Sequence, residues 1–252
     1  MKELKREEFK LIAKNKSYKR KLNQAISALQ KAINTCDNPA VSFSFGKDSV
    51  VCVDIARRIK SDILIINIDR GEGGDLQEAV DLYDKYAKKY NLNYHRVKTP
   101  KEILEIYRDA DSLYDLRKKD LKNNLIKGIK KARNKFDIKC EIMGLRAEES
   151  KNRNYLRIYG TLHYSKNEKI YKCKPVLHWT GREIWAYIVD NDVPYISWYD
   201  KMAELTSYEK ARYSNWAGLF MARKGRFWKL KQNYPDEFNM LSKIFPEVRN
   251  YV

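Results

Sequence analysis

Cysteine and histidine are scarce in this 252-residue chain, with four and three copies, and there are only six prolines and ten glycines. Cys36, Cys52, Cys140 and Cys173 show no CxxC spacing, which excludes a disulfide framework. They read as reduced thiols, and no iron–sulfur cluster is expected. His95, His163 and His178 lack metal-ligand spacing as well. So little glycine and proline excludes a collagen-like or low-complexity chain. No apolar run approaches the ~20 residues of a membrane span. The N-terminal MKELKREEFK is charged, with no apolar segment behind it, so no secretory signal is expected. A cytoplasmic protein without membrane contact is expected. With 43% hydrophobic residues, a chain of this length can bury a real core.

Positive charge is abundant: Lys and Arg number 51 against 33 Asp and Glu, a formal +18. Such an excess attracts polyanions, so DNA or RNA is a candidate partner. A codon supply rich in Lys, Asn, Ile and Tyr accounts for the same excess with no partner at all. Two stretches concentrate the charge. Arg117 to Lys135 reads as a basic amphipathic helix with Leu121, Leu125, Ile129, Ala132 and Phe136 along one stripe. Residues 223–231 mix bases with aromatics, and Arg223, Lys224, Arg226 and Trp228 are the nucleic-acid-binding candidates.

Apolar spacing of three, four and seven predicts helix over residues 3–36, stopped by Asn38-Pro39. Short strands are predicted at 40–44, 62–68, 93–97 and 141–144. Helices are predicted from Val50 to Ile59, from an Asp75/Glu78 cap to about Tyr90, and from Thr99-Pro100-Lys101-Glu102 onward. The apolar stretch from Ile63 to Ile66, within the segment 62–68, marks a strand covered on both faces. Strand and helix alternate, which predicts an α/β fold: a parallel twisted sheet with helices on both faces. The division expected is a helical arm over 1–36, an α/β domain over 37–178 and a mostly helical cap of that domain over 179–252.

Ligands of such sheets lie beyond the carboxyl ends of the strands. Three segments fall there: Ser44 to Ser49, Asp69 to Asp75, and Leu145 to Arg153. In the first, the hydroxyls of Ser42, Ser44 and Ser49, the Gly46 backbone and exposed amides form a cradle for phosphate oxygens at a helix N-terminus. Lys47 adds a mobile charge, and Asp48 is the candidate ligand for Mg²⁺. An ordinary Gly/Ser turn is the plain alternative. Beyond the last strand stand Gly144, Arg146, Ser150 and Arg153, and two arginines can grip anionic oxygens in bidentate fashion. The plain alternative there is a solvated loop whose Glu148 and Glu149 pair with both arginines. Asp69 and Gly71 end the second strand where glycines allow close backbone approach.

The order SFGKDS, IDRGE, GLRAEESKNR and KPVLHWTGREIWAYIVDNDVPY resembles the phosphoadenosine phosphosulfate (PAPS) reductase family, over roughly Ala40 to Tyr195. That family belongs to the PP-loop, or adenine nucleotide α-hydrolase-like, superfamily, which implies a Rossmann-like sheet. The resemblance puts a pyrophosphate-binding loop on Ser44, Gly46, Asp48 and Ser49. It puts contacts to the ligand's anionic end on Gly144, Arg146, Ser150 and Arg153. Thr180 and Glu183 read as a capping box, with Ile184, Trp185 and Ile188 as a core face. Phe45 follows the reductase spelling, Lys47-Asp48-Ser49 the ATP-using one, so Phe45 is counted among the nucleotide-contacting residues. The family's C-terminal cysteine motif is absent, since no cysteine follows Cys173. The resemblance therefore implies cleavage of ATP between its α and β phosphates, with Mg²⁺, to activate an acceptor in sulfur transfer or nucleic-acid modification. Lys47, Asp48 and Arg146 are the catalytic candidates. The alternatives are a PAPS or adenosine phosphosulfate reductase using an external thiol, and a non-catalytic adapter between nucleotide, nucleic acid and a partner protein.

Overall fold

The computed structural model describes residues 1–203, 205–213 and 225–252, and of Lys118 the backbone alone. Six strands form one sheet in the order β3-β2-β1-β4-β6-β5: β1 (Pro39–Phe43), β2 (Leu64–Asp69), β3 (Tyr94–Lys98), β4 (Cys140–Met143), β5 (Leu162–Ser165) and β6 (Ile170–Cys173). All pairings are parallel except that of β5 with β6. The α/β expectation holds. The β5–β6 hairpin is an addition, because Leu-His-Tyr-Ser and Ile-Tyr-Lys-Cys are too short and too polar to announce strands. His163 accordingly lies in a strand.

The run through β2 explains itself in packing. Ile63 and Ile65 join Val41 and Phe43 in the larger core cluster. Ile66, backed by Leu64 and Ile68, faces the other way with Ala40 and Val97. That second face is covered by α6 (Lys118–Lys135), which buries Ala132 there. The stripe differs from the expected one. Asn124 and Ala132 are buried, and a Cβ on Gly128 would come within 2.8 Å of Ile68, whereas Leu125 faces solvent.

The N-terminal segment is two helices, α1 (Glu3–Lys14) and α2 (Lys16–Thr35). Asn15 takes extended backbone and its side-chain oxygen accepts the Ser17 N–H at 2.8 Å, so it caps α2 and breaks the continuous helix that periodicity suggested. Phe9 of α1 stacks on Trp185 of α8 (Gly181–Asp190) at 6.1 Å. The α8 capping box forms as expected: the Thr180 N–H donates to Glu183 at 2.6 Å and the Glu183 N–H to Thr180 at 3.2 Å.

Two other caps differ. The helix α4 (Gln77–Lys89) starts without Asp75, which pairs with Arg70 at 2.8 Å, while Glu78 reaches Ser197 and Tyr234. In α5 (Ile103–Arg108) the capping pair is Glu102 and Glu105, and the Thr99 hydroxyl turns to the Lys101 carbonyl. Among the described residues, no helix is long and apolar enough to cross a membrane.

Candidate active site

The strand order reverses between β1 and β4, so the chain leaves these neighbours towards opposite flanks and opens a crevice at their carboxyl ends. After β1 it enters α3 (Lys47–Ile59), and after β4 it enters the loop carrying Arg146 and Arg153. Gly144 holds these two loops together. A Cβ there would lie 2.5 Å from the Asp48 carbonyl carbon and 2.6 Å from the Ser49 nitrogen, so only hydrogen fits. The close approach lets the Arg146 guanidinium pair with the Asp48 carboxylate at the start of α3.

Within the first loop, Ser49 is the organiser. Its hydroxyl donates to the Gly46 carbonyl at 2.8 Å and accepts the Ser44 N–H at 3.2 Å. Phe45 adopts the left-handed region, with φ 59°, and its ring is fully buried. It stacks on Tyr83 at 5.4 Å and meets Phe43 edge-on at 5.1 Å. Phe45 is thus a core anchor and does not line the cleft, contrary to its assignment as a nucleotide contact. Ser42, within β1, does not line it either.

Lys47 also departs from expectation. Its side chain is 1% exposed, and its ammonium donates to the Ala211 carbonyl, 3.6 Å from Asp48 and over the Tyr199 ring. Burial pulls its pKa below the ordinary value, against the opposing charge of Asp48. A lysine so enclosed is not a mobile charge.

The cleft has a volume of about 640 Å³, within the range of small-ligand sites. Ser44, Gly46, Asp48 and Ser49 form one wall, Gly144, Arg146, Ser150 and Arg153 another. Ser150 caps the short helix α7 (Lys151–Asn154) by accepting the Arg153 N–H at 3.2 Å. A third wall was missed by the sequence reading: Tyr199 of α9 (Trp198–Met202), Lys210, Arg212 and Tyr213. The Tyr199 hydroxyl accepts the Lys47 N–H at 2.9 Å. The string Lys210-Ala-Arg212-Tyr213 has no spacing that announces a site, so only the fold brings it here.

Arg226 lines the same cleft and is buried at the start of α10 (Arg226–Asn233), where it cannot clamp a solvent-side nucleic acid. Trp228 is partly exposed on the same helix, and Arg223 and Lys224 lie outside the described residues.

Glu148 does pair with Arg146, at 3.3 Å, and Glu149 with both Arg153 and Arg212. Even so the cations crowd one another. Burial, then the neighbouring Arg212, lower the pKa of Arg153, and Arg212 and Arg226 are lowered in the same way by burial and a neighbouring arginine. Arginines remain charged under such shifts, so the cleft stores repulsion that an anion would relieve.

Asp48 does not fit a resident metal. One oxygen faces Arg146 and the other faces Lys47, and burial against this pair is offset so that the carboxyl is held below its ordinary pKa. Among the described residues no three His, Cys, Asp or Glu side chains converge as a metal set.

Asp69 and Gly71 line a separate cavity of about 460 Å³, where Asp69 pairs with Arg96 at 3.1 Å. All four cysteines are buried, and none lines the cleft. Burial raises every thiol pKa, that of Cys173 to about 12.

The sequence model of the phosphoadenosine phosphosulfate reductase domain matches residues 38–234. An adenosine 5′-phosphosulfate reductase of Staphylococcus epidermidis is 32% identical over 188 residues, covering 70% of this chain and 72% of that one. A protein of Methanocaldococcus jannaschii is 29% identical over 238 residues; the match takes in 90% of this chain but spans only about half, 54%, of that longer protein. In three dimensions the chain resembles a PAPS reductase of Candida auris solved as a phosphate complex, with TM-score 0.57 and 23% identity, over 70% of this chain and 84% of that one. The last likeness is one of fold.

Proposed function

The chain belongs to the phosphoadenosine phosphosulfate reductase domain family, and from that premise we propose that its cleft binds an adenine nucleotide and cleaves ATP between the α and β phosphates. The phosphate chain would lie across Ser44–Ser49, with Arg146, Arg153 and Arg212 around it. An oxygen of the acceptor attacks the α phosphorus, the bond to the bridging oxygen breaks, and pyrophosphate leaves with the electron pair. The arginines are placed to neutralise the charge that builds on the departing pyrophosphate. Asp48 positions Arg146, and Lys47 holds the C-terminal segment against α3. Magnesium would enter only as the nucleotide's own counter-ion. Free, buried thiols suit a reducing cytoplasm.

The observation that carries this reading is the pairing of an arginine-rich cleft with thiols that are all buried and outside the cleft lining. Attack on sulfur needs a thiolate within reach, and the described cleft has none. The names of the reductase relatives favour a second reading, reduction of a sulfonucleotide by an external dithiol.

One pair of experiments separates the two. Calorimetry should show ATP binding at least as tight as PAPS, and Arg212→Ala should weaken it roughly 10–100-fold, as expected for a hydrogen bond to a charged group. Pyrophosphate release from ATP with acceptor present should survive replacement of all four cysteines. Preference for PAPS, with sulfite released on addition of a dithiol, would overturn the assignment.

A further inference from the structure

The solvent face of α2 carries a stripe that the cleft does not use. Lys16, Arg20, Asn23, Ser27 and Lys31 recur at spacings of four, three, four and four, opposite the buried face formed by Tyr18, Ala25, Leu29 and Ala32. Lys19 and Gln24 flank the stripe. From Lys16 to Lys31 it runs about 22 Å along the helix. With Thr161, Pro175 and His178 it bounds a groove of about 840 Å³ whose lining holds no carboxylate.

The cations of this groove are mostly unanswered. Lys21 pairs with Glu183 at 2.9 Å, but no described carboxylate pairs with Lys16, Lys19, Arg20 or Lys31. Lys16, Lys19 and Arg20 at one end of the stripe and Lys31 towards the other leave a field of one sign open to solvent. The rim continues the same sign. Partial burial, then Arg157 and Lys21, depress the pKa of His178.

Arg157 belongs to a 3₁₀ turn, Tyr155–Tyr159, that leads directly to Thr161 in the groove wall. This turn exposes large apolar side chains: Tyr155 is 71% exposed, Ile158 73% and Tyr159 56%. Tyr159 stacks on His163 at 5.0 Å. The turn follows directly on α7, whose Arg153 lines the cleft, and the Ala147 N–H donates to Leu177 beside His178 at 2.9 Å. Groove and cleft therefore share one loop framework.

We propose that this face of α2, with the Tyr155–Tyr159 turn that runs into the groove wall at Thr161, is a docking surface for single-stranded RNA. The unpaired bases track the phosphates, and the exposed tyrosines give bases a stacking platform. Asn23, Gln24 and Ser27, set between the cations, supply donors and acceptors for 2′-hydroxyls, which DNA lacks. The proposal concerns binding alone and stands or falls independently of the chemistry in the cleft.

The test is fluorescence anisotropy of the intact chain with a labelled 20-nucleotide oligouridine, without nucleotide, across a salt series. The variant Lys16→Gln/Lys19→Gln/Arg20→Gln/Lys31→Gln should flatten the slope of log affinity against log salt by about 3, from ~0.7 per neutralised phosphate. Tyr155→Ala should weaken binding roughly ten-fold with little change in that slope. The control, Lys119→Gln/Lys122→Gln/Lys127→Gln/Lys130→Gln on α6, removes equal charge elsewhere and should leave the slope nearly unchanged. All these side chains face solvent, so unchanged melting curves verify folding. Equal losses from the α6 variant would reduce the effect to net charge and refute the site. Oligodeoxyuridine binding as tightly as RNA refutes the RNA assignment. No binding at low salt also refutes it and leaves the stripe to an acidic protein.

Discussion

Gly144→Ala tests the architecture of the cleft with one methyl group. The added Cβ would meet the Asp48 carbonyl carbon at 2.5 Å, its oxygen at 2.6 Å and the Ser49 nitrogen at 2.6 Å. All three are backbone atoms of the α3 N-terminus, so no side chain can swing aside. The loop after β4 must back away, carrying Arg146 from Asp48. Overpacking of this kind costs about 2 kcal/mol, which for a chain of this size lowers Tm by roughly 4–8 °C. Gly46 is the internal standard. A Cβ there has its nearest neighbour, the Ser44 hydroxyl, at 3.6 Å, and its φ of −72° is open to any residue. Thermal unfolding followed by circular dichroism, with nucleotide binding by calorimetry, should therefore show Gly144→Ala impaired in both and Gly46→Ala close to wild type in stability. If Gly144→Ala melts with wild type, or Gly46→Ala melts lower, the two loops are not packed as described.

Two further perturbations address the thiols and the loop. Because burial raises all four cysteine pKa values, an aromatic disulfide reagent at pH 8 should modify none of them in the native protein over minutes, and all four in denaturant; rapid native labelling of even one would reopen the thiol route. Phe45→Ala should cost roughly 3–5 kcal/mol, as for a buried aromatic removed from a core, while leaving the ratio of ATP to PAPS affinity unchanged. A switched ratio would return Phe45 to the ligand.

Much of the sheet was legible because its signals are local. The stretch from Ile63 to Ile66 has no polar alternation, and the structure covers both of its faces, one by the main core and one by α6. Caps were less legible. Asp75 and Glu78 have the spacing of a capping pair, yet Arg70 claims the first and Ser197 and Tyr234 the second. Partners 119 and 156 residues away outbid a backbone amide three residues away, and no window on the sequence contains them. The break at Asn15 is a different failure. One asparagine able to accept the amide two residues on outweighed an unbroken apolar period.

The candidate site divides along the same line. Ser44, Gly46, Asp48 and Ser49 come together with Gly144, Arg146, Ser150 and Arg153 because each set follows a central strand. Arg212 and Tyr199 were invisible because their place depends on how the C-terminal segment folds back. The spelling of the loop misled for a more specific reason. In Ser-x-Gly-x-Asp-Ser the two free positions are Phe45 and Lys47, and both turn away from the cleft. Phe45 goes into the core against Tyr83, and Lys47 goes under Tyr199 to the Ala211 carbonyl. Reading ATP or PAPS from those two letters is therefore reading how the loop is anchored, not what it holds. The side chains that line the cleft from outside those two loops include Lys210, Arg212 and Arg226, and none of them is part of the loop spelling.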